Sequence, residues 1–284
     1  MNYLVFAIIF WIFAWVINIW IARKKTPSIL FFIPPSLFGL SVLVLWEACV
    51  VSFRVSPIIL PPPSAIFYKL ITSGPTLWDD FIQTAIKGAL TGYVFGCGSA
   101  FLIALIVDKF KFLERGLLPI GNFLAAMPII GIAPILVMWF GYGWHSKSAV
   151  VAVMVFFPIL VNTVQGMQMP DRIQRDLLKT YNASYSQKLT KLKLSTAMPF
   201  IFNGLKICTT LALIGAIVAE FFGSPPKGMG FRISTEAANF ALDMVWAEIT
   251  MAAIAGSTFY GIVVLLEKRI TFWHPSQRAT NQIK

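Results

Sequence analysis

The sequence predicts an all-α protein that crosses a membrane several times. Of its 284 residues, 57% are hydrophobic and only 12% are charged, and the mean hydropathy is +0.76. A soluble domain carries about 25% charged residues, so this much apolar surface exceeds what one globular core can bury. The apolar residues also form continuous runs rather than alternating with polar ones, which favours membrane helices over a β-barrel.

Seven apolar runs approach the length of about 20 residues that a membrane-spanning helix needs. They cover approximately residues 3–22, 29–53, 83–107, 117–140, 148–168, 199–222 and 243–266. The first run is followed rather than preceded by basic residues, Arg23-Lys24-Lys25, which is the reverse of a secretory signal. We therefore expect residues 1–28 to hold an uncleaved extra N-terminal span and its basic flank.

The position of the charges predicts the orientation. The net charge is +11, and the Lys and Arg residues lie mainly between the apolar runs, as the positive-inside rule describes. Alternation then places the connections at 109–115 and 169–197 and the tail 271–284 in the cytoplasm, with 54–82 and 141–147 outside. No segment is long enough to form a soluble module with a basic face, so the sequence argues against nucleic-acid binding.

The connection 169–197 is too polar to span a membrane but has the pattern of ordered structure. Ile173, Leu177 and Tyr181 follow one another at intervals of four residues, which predicts a short helix over Asp171–Tyr181 with one apolar face. Such a helix can rest on lipid headgroups or dock on a cytoplasmic partner, and the periodicity alone favours neither.

Turn and cap residues follow that helix. Asn182 can adopt the left-handed conformation that ends a helix. Ser184 and Gln187 have the spacing of a capping box, which predicts a second helix. Pro199 is expected to mark the start of the next span.

This segment resembles the EAA loop of the permeases of binding-protein-dependent ABC importers. That motif consists of Glu-Ala-Ala, three residues, Gly and then an Ile-x-Leu-Pro ending, and it aligns without gaps with DLLKTYNASYSQKLTKLKLSTAMP, which begins at residue 176. Asp and Leu-Leu replace Glu-Ala-Ala, Asn182 replaces Gly, and Ser195 stands where Pro is usual. The resemblance implies that an ATPase subunit contacts Asp176, Leu177, Leu178, Tyr181, Asn182, Ala183, Ser184 and Gln187.

Four further stretches carry the resemblance along most of the chain. They are ILPPPSAI at 59–66, AAMPIIGIAPILVMWFGYGWHSK at 125–147, FFPILVNTVQGM at 156–167 and VAEFFGSPPKGMGF at 218–231. Together they resemble the nitrate/sulfonate/taurine-type branch of these permeases. The ending Thr271–Ser276 is similar to permeases for pyrimidine-type vitamin precursors within that branch.

The resemblance implies a fold and a division of labour. Residues 29–270 would form the permease domain with a six-span core, 169–197 its coupling segment, and 271–284 a cytoplasmic tail. Two permease chains, expected to be copies of this one, would form the pathway in the bacterial cytoplasmic membrane and its lipid bilayer. A periplasmic or lipid-anchored binding protein would deliver the solute. The chain has no G-x-x-x-x-G-K-[ST] phosphate loop, so ATP and Mg²⁺ would bind separate ATPase subunits, and this chain would be neither an enzyme nor a cofactor-binding protein.

Several polar residues lie inside the predicted spans. Uncharged ones can bond between helices or line the pathway, and the sequence leaves both open for Asn122, Asn162, Gln165 and Asn203. Glu220 is a further pathway candidate, although for it and Glu47 a structural hydrogen-bonding role is favoured, and Glu220 lies close enough to the outer boundary to be solvated there. The four-residue spacing of Gly88, Gly92 and Gly96 favours close helix packing over a gating seam.

Two other protein classes fit the sequence less well than the importer permease. A secondary transporter or channel that acts alone predicts paired intramembrane charges or broken helices in inverted repeats, and the sequence has no clear sign of either. An intramembrane enzyme needs converging catalytic side chains, whereas His145 and His274 fall on opposite sides of the membrane in this topology. Cys49, Cys97 and Cys208 have no disulfide or metal spacing.

Overall fold

The computed structural model describes residues 2–22, 33–125, 127–223 and 225–273, and the described residues form helices and their connections without a β-strand. Within these described ranges, six helices are long and apolar enough to cross a membrane, which confirms the predicted all-α polytopic class. We number the helices α1 (Asn2–Ala22), α2 (Ile33–Ser52), α3 (Pro63–Thr72), α4 (Gly74–Lys109), α5 (Lys111–Ala125), α6 (Ile129–Phe140), α7 (Trp144–Gln168), α8 (Arg172–Thr180), α9 (Tyr185–Phe221), α10 (Met229–Ala238) and α11 (Leu242–Ile270).

The chain divides into two compact units. Among the described residues, the first unit contains everything up to Leu77 together with 233–250, and the second contains 78–232 and 251–273. In the first unit, α1 packs on α2 through small residues, since Ala7 and Ala14 are each only 1% exposed. The predicted first span is therefore a helix, whereas its basic flank Arg23-Lys24-Lys25 lies outside the described residues.

The predicted external connection 54–82 is partly helical. Pro62 and Pro63 begin α3, where a missing N–H costs nothing because the first turn of a helix leaves its N–H groups unpaired. Ser64 donates from its backbone N–H and its hydroxyl to the Glu47 carboxylate, at 2.9 and 2.8 Å. This agrees with the structural role expected for Glu47.

The core of the second unit lies between α4, α7 and α9. A Cβ on Gly92 would stand 2.5 Å from the Ser148 carbonyl oxygen, and a Cβ on Gly96 would stand 2.5 Å from Val155 Cγ2. Such approaches are possible only for glycine, so these residues allow α4 to touch α7 directly. At Gly88 the nearest atom to a Cβ would be at an ordinary 3.4 Å. The packing interpretation is confirmed at Gly92 and Gly96.

The predicted continuous span 117–140 is wrong. This stretch belongs to two shorter helices, α5 and α6, which are separated near Met127-Pro128. Pro128 precedes α6 in an extended conformation, with φ −67° and ψ 117°, and its missing N–H and fixed φ stop the helical hydrogen-bond pattern there. Hydropathy did not detect the break because both flanks are apolar.

Two of the other predicted spans begin too late. The helix expected over 83–107 starts at Gly74, and the one expected over 199–222 starts at Tyr185. Pro199 therefore lies inside α9 rather than at its start. It is tolerated because this stretch is held by close packing: Ala197 is fully buried, and its Cα would lie 2.9 Å from a Cβ on Gly166 of α7.

Candidate functional site

Segment 169–197 forms a helix, a tight turn and the start of a second helix. Asn182 has φ 48°, and the N–H of Ala183 donates to the Leu178 carbonyl at 2.9 Å, the hydrogen-bond pattern of a Schellman cap. The Gln187 side chain accepts from the Ser184 N–H at 2.8 Å, while the Ser184 hydroxyl accepts from the Gln187 N–H at 3.3 Å. The predicted left-handed turn and capping box are both confirmed.

The first of these helices, α8, has no buried residue in its unit. Its apolar side chains nevertheless lie in one row, with Ile173 83%, Leu177 55% and Tyr181 76% exposed. Leu178 and Ala183 are half-buried, and Asp176 forms exposed ion pairs with its helix neighbours. An exposed apolar row on a capped helix is a surface suited to a protein partner.

The Asp108 carboxylate of α4 binds two side chains of the second helix, α9. Asp108 accepts from the Tyr185 hydroxyl at 2.9 Å and from the Lys193 ammonium at 2.7 and 2.9 Å. Its side chain is 6% exposed, against 26% for Lys193. Leu189 and Leu194 pack against the core beside this contact. We call Asp108, Tyr185 and Lys193 the Asp108 latch.

Sequence analysis missed the Asp108 latch. Its members are 77 and 85 residues apart, so no local pattern connects them. A sign was nevertheless present, because Asp108 is an acidic residue directly at the end of an apolar run and is followed by Lys109 and Lys111. The turn from 189 to 193 is π-helical, and it lies where α9 passes from the segment toward the membrane.

The predicted pathway residues whose side chains the structure describes do not all lie in one site. Asn162 is half-buried and donates to the Pro158 carbonyl of its own helix at 2.8 Å, whereas Gln165 and Asn203 are exposed. Glu220 lies about 25 Å along α9 from Asn203, from a rise of about 1.5 Å per residue. Position 122 lies in α5, but the Asn122 side chain is outside the described part of the structure.

Glu220 is held in a buried polar network. It is 2% exposed and accepts from the Thr84 hydroxyl at 2.9 Å and from the Gly230 N–H at 2.7 Å. The alternative of a solvated Glu220 is therefore wrong. The hydrogen-bonding role that the sequence favoured fits these contacts.

A second carboxylate extends this network. Asp80, which is fully buried, accepts from the Gly228 N–H at 2.6 Å and from Arg232 at 2.9 Å. Lys147 is 1% exposed and donates to the carbonyls of Tyr142 and Gly223. These contacts fix the start of α10 and the connection before it against α4 and α7.

A charged pair lies between two of the membrane-crossing helices. The Lys206 ammonium of α9 approaches the Glu267 carboxylate of α11 to 2.9 Å, and the side chains are 21% and 11% exposed. No local sequence pattern connects its two members, which are 61 residues apart. Beside it is a pocket of about 440 Å³ lined by Asn203, Lys206, Ile207, Thr210, Leu211 and Tyr260.

Among the described residues, no group of three or more His, Cys, Asp or Glu side chains is arranged to hold a metal ion. His145 is described, whereas His274 lies beyond the described residues.

Comparison with known proteins places the chain among transport components. Residues 92–272 match the family of binding-protein-dependent transport system inner membrane components. The chain is 31% identical over 233 residues to a probable ABC transporter permease protein of Haemophilus influenzae, an alignment that covers 81% of this chain and 93% of that protein. It is 30% identical over 245 residues to the formylaminopyrimidine transport permease protein of Halalkalibacterium halodurans (86% and 96% covered). It is 28% identical over 238 residues to a putative aliphatic sulfonates transport permease protein of Bacillus subtilis (83% and 85% covered).

Proposed function

This chain belongs to the family of binding-protein-dependent transport system inner membrane components, and from that premise we propose that segment 169–197 is where a separate ATPase subunit docks. The chain is a multi-pass inner membrane protein and the transmembrane permease of an ABC importer of the nitrate/sulfonate/taurine branch. As a permease it is not itself an enzyme. The proposal concerns which residues receive the force of ATP hydrolysis.

The exposed apolar row on α8 is the observation that carries the proposal. Leu177 and Tyr181 present apolar surface where their own unit supplies no cover. Lys179, Lys188 and Lys191 lie in the same segment and carry positive charge. In the interface with the ATPase subunit, this apolar row would be buried in a groove as the anchor. The lysines would form the polar rim around it.

The structure offers a direct route from this surface to the membrane. Helix α9 runs without interruption from Tyr185 to Phe221, so a displacement of the segment is passed to a membrane-crossing helix. The Asp108 latch passes it to α4 as well. When ATP and Mg²⁺ close the ATPase pair, the segments of two permease chains move together, and the pathway alternates between its inward and outward openings.

The remaining partners follow from the family. An external binding protein delivers the solute, and a second permease chain, proposed to be a copy of this one, completes the pathway. The relatives are named for formylaminopyrimidine and aliphatic sulfonates, so we propose a small neutral or anionic solute. The domain boundaries 1–28, 29–270 and 271–284 belong to the same proposal.

The test is to make α8 polar and ask whether the ATPase is lost. In Leu177→Ser/Tyr181→Ser, we expect the P-loop ATPase that copurifies with the tagged chain, identified by mass spectrometry, to fall at least about tenfold. ATP hydrolysis stimulated by loaded binding protein should fall with it. Arg175→Ser, which changes an exposed α8 residue away from the row, is the matched control.

Two results would contradict the proposal. One is unchanged copurification and unchanged stimulated hydrolysis in the double variant. The other is solute uptake by the purified chain alone in liposomes without nucleotide, which would support the alternative of a transporter or channel that needs no ATPase.

A further inference from the structure

Helix α9 carries a polar face at the depth of the membrane. Asn203, Lys206 and Thr210 are three and four residues apart, which places them on one side of the helix. Lys206 lies about 20 Å along the axis from Lys193 and about 20 Å from Glu220, from a rise of about 1.5 Å per residue. A cation so far from both ends of the span is costly against lipid, so this face lies against water or protein.

The ion-pair partner of Lys206 does not fill the pocket. Glu267 holds the ammonium from the α11 side at 2.9 Å. The ammonium has three N–H donors, and its contacts with the two carboxylate oxygens do not use all of them. Lys206 also lines the pocket, whereas Glu267 does not.

The lining of the pocket is selective in charge. It contains one cation and the neutral hydrogen-bonding groups of Asn203, Thr210 and Tyr260, and no carboxylate. The other two lining residues are Ile207 and Leu211, which leave apolar surface beside the polar groups. Such a set suits a small molecule with an anionic oxygen group at one end and a carbon skeleton at the other.

We propose that this pocket is a solute-binding site on the transport pathway, and that it takes the carboxylate or sulfonate group of an anionic solute. Lys206 contacts the acid group, Asn203, Thr210 and Tyr260 donate to its oxygens, and Glu267 positions Lys206. The inference rests on the proposed function, since it assigns the solute contact to the permease that the ATPase drives.

A phosphate of an anionic lipid offers similar chemistry. Its headgroup lies at the bilayer surface, however, whereas Lys206 is about 30 Å along the axis from Tyr185 and about 20 Å from Phe221, the two ends of α9. The midspan position therefore favours a solute in a water-filled pathway.

The test places a thiol inside the pocket and probes it with charged reagents. Thr210→Cys is made in a Cys49→Ala background, where Cys97 and Cys208 are buried. The purified importer is treated with the anionic sulfonatoethyl methanethiosulfonate or with its cationic trimethylammonium counterpart. We expect the ratio of the anionic to the cationic labelling rate to be about five times the same ratio measured for a free thiol, because one unit charge lies close to the reacting sulfur.

Variants of Lys206 make the result specific. Lys206→Arg should retain the preference for the anionic reagent, and Lys206→Met should abolish or reverse it because the Glu267 carboxylate remains. Because Lys206→Met leaves Glu267 buried without its cation and can impair folding, Lys206→Met/Glu267→Gln serves as the second variant, which should keep assembly and lose the preference. The lipid arm repeats the labelling in phosphatidylcholine liposomes with and without phosphatidylglycerol.

Three outcomes would overturn the inference. No reaction with either reagent would show that lipid or a second permease chain covers the face. An equal preference with and without Lys206 would remove the charge argument. Slower labelling of the Thr210→Cys thiol whenever phosphatidylglycerol is present would assign the pocket to a lipid headgroup. Labelling does not require ATP, so unchanged ATPase docking in Leu177→Ser/Tyr181→Ser would refute the proposed function and leave this test intact.

Discussion

The Asp108 latch allows a quantitative prediction about the stability of the coupling segment. Asp108 accepts three short contacts, from the Tyr185 hydroxyl and the Lys193 ammonium. A hydrogen bond to a charged group contributes about 1.5–3 kcal/mol. Tyr185→Phe removes one of them at a 40% exposed side chain, so we expect a loss of about 1 kcal/mol of local stability.

The two charge-removing variants should be more severe, and in a definite order. Asp108→Asn frees Lys193, which is partly exposed and can turn to water, so we expect a loss of about 2 kcal/mol. Lys193→Met instead leaves a 6% exposed carboxylate with only Tyr185 as its donor, for which about 3 kcal/mol is expected.

Hydrogen–deuterium exchange of residues 185–193 measures these changes directly. A loss of about 2 kcal/mol raises the open population about thirtyfold, and exchange of these amides accelerates by the same factor if opening is local. Tyr181→Phe, which removes the hydroxyl of a 76% exposed residue outside the latch, is the control and should leave the exchange unchanged. Equal exchange in Asp108→Asn and the unmodified protein, or a Tyr185→Phe variant more severe than Lys193→Met, would refute the reasoning.

Three further predictions concern turn, packing and polar contacts. Asn182→Gly should be tolerated, whereas Asn182→Val should destabilise the segment by about 1–2 kcal/mol in the same exchange measurement because a β-branched residue disfavours positive φ; equal exchange in the two variants would contradict this. Gly92→Leu should abolish the cooperative thermal unfolding transition in detergent or strongly lower its temperature. Gly98→Leu on the same helix, where a Cβ would meet nothing within 4 Å, should do neither. Glu220→Gln should speed exchange at 228–232 by about tenfold or more, whereas Asp79→Asn, which breaks an exposed ion pair, should change it little; the reverse order would contradict the account of the buried network.

Local patterns predicted the local parts of this structure. The turn at Asn182 and the cap at Ser184 depend on residues within a few positions of each other, and both were correct. The break before α6 was missed because a hydropathy window averages over Pro128 and registers only apolar flanks.

Long-range contacts could not be predicted from local sequence patterns. The Asp108 latch joins positions 77 and 85 residues apart, and the contact of Thr84 with Glu220 joins positions 136 apart. Which buried charge meets which partner depends on how the helices pack, and one sequence does not contain that information in any local window. The same limit applies to Lys206 and Glu267, whose pairing makes the polar face of α9 recognisable.

Cross-linking from the end of α8 tests most directly whether segment 169–197 binds the ATPase subunit. A cysteine is placed at Tyr181, or as a control at Tyr142, a 69% exposed residue between α6 and α7, in a Cys49→Ala background. The purified importer is treated with benzophenone maleimide, which attaches to the thiol and is photolinked to C–H bonds of a neighbouring subunit. The account predicts that Tyr181→Cys becomes linked to the ATPase subunit, with a yield that changes between ADP and ATP, and that Tyr142→Cys does not. A link to the ATPase from Tyr142→Cys but none from Tyr181→Cys would contradict it.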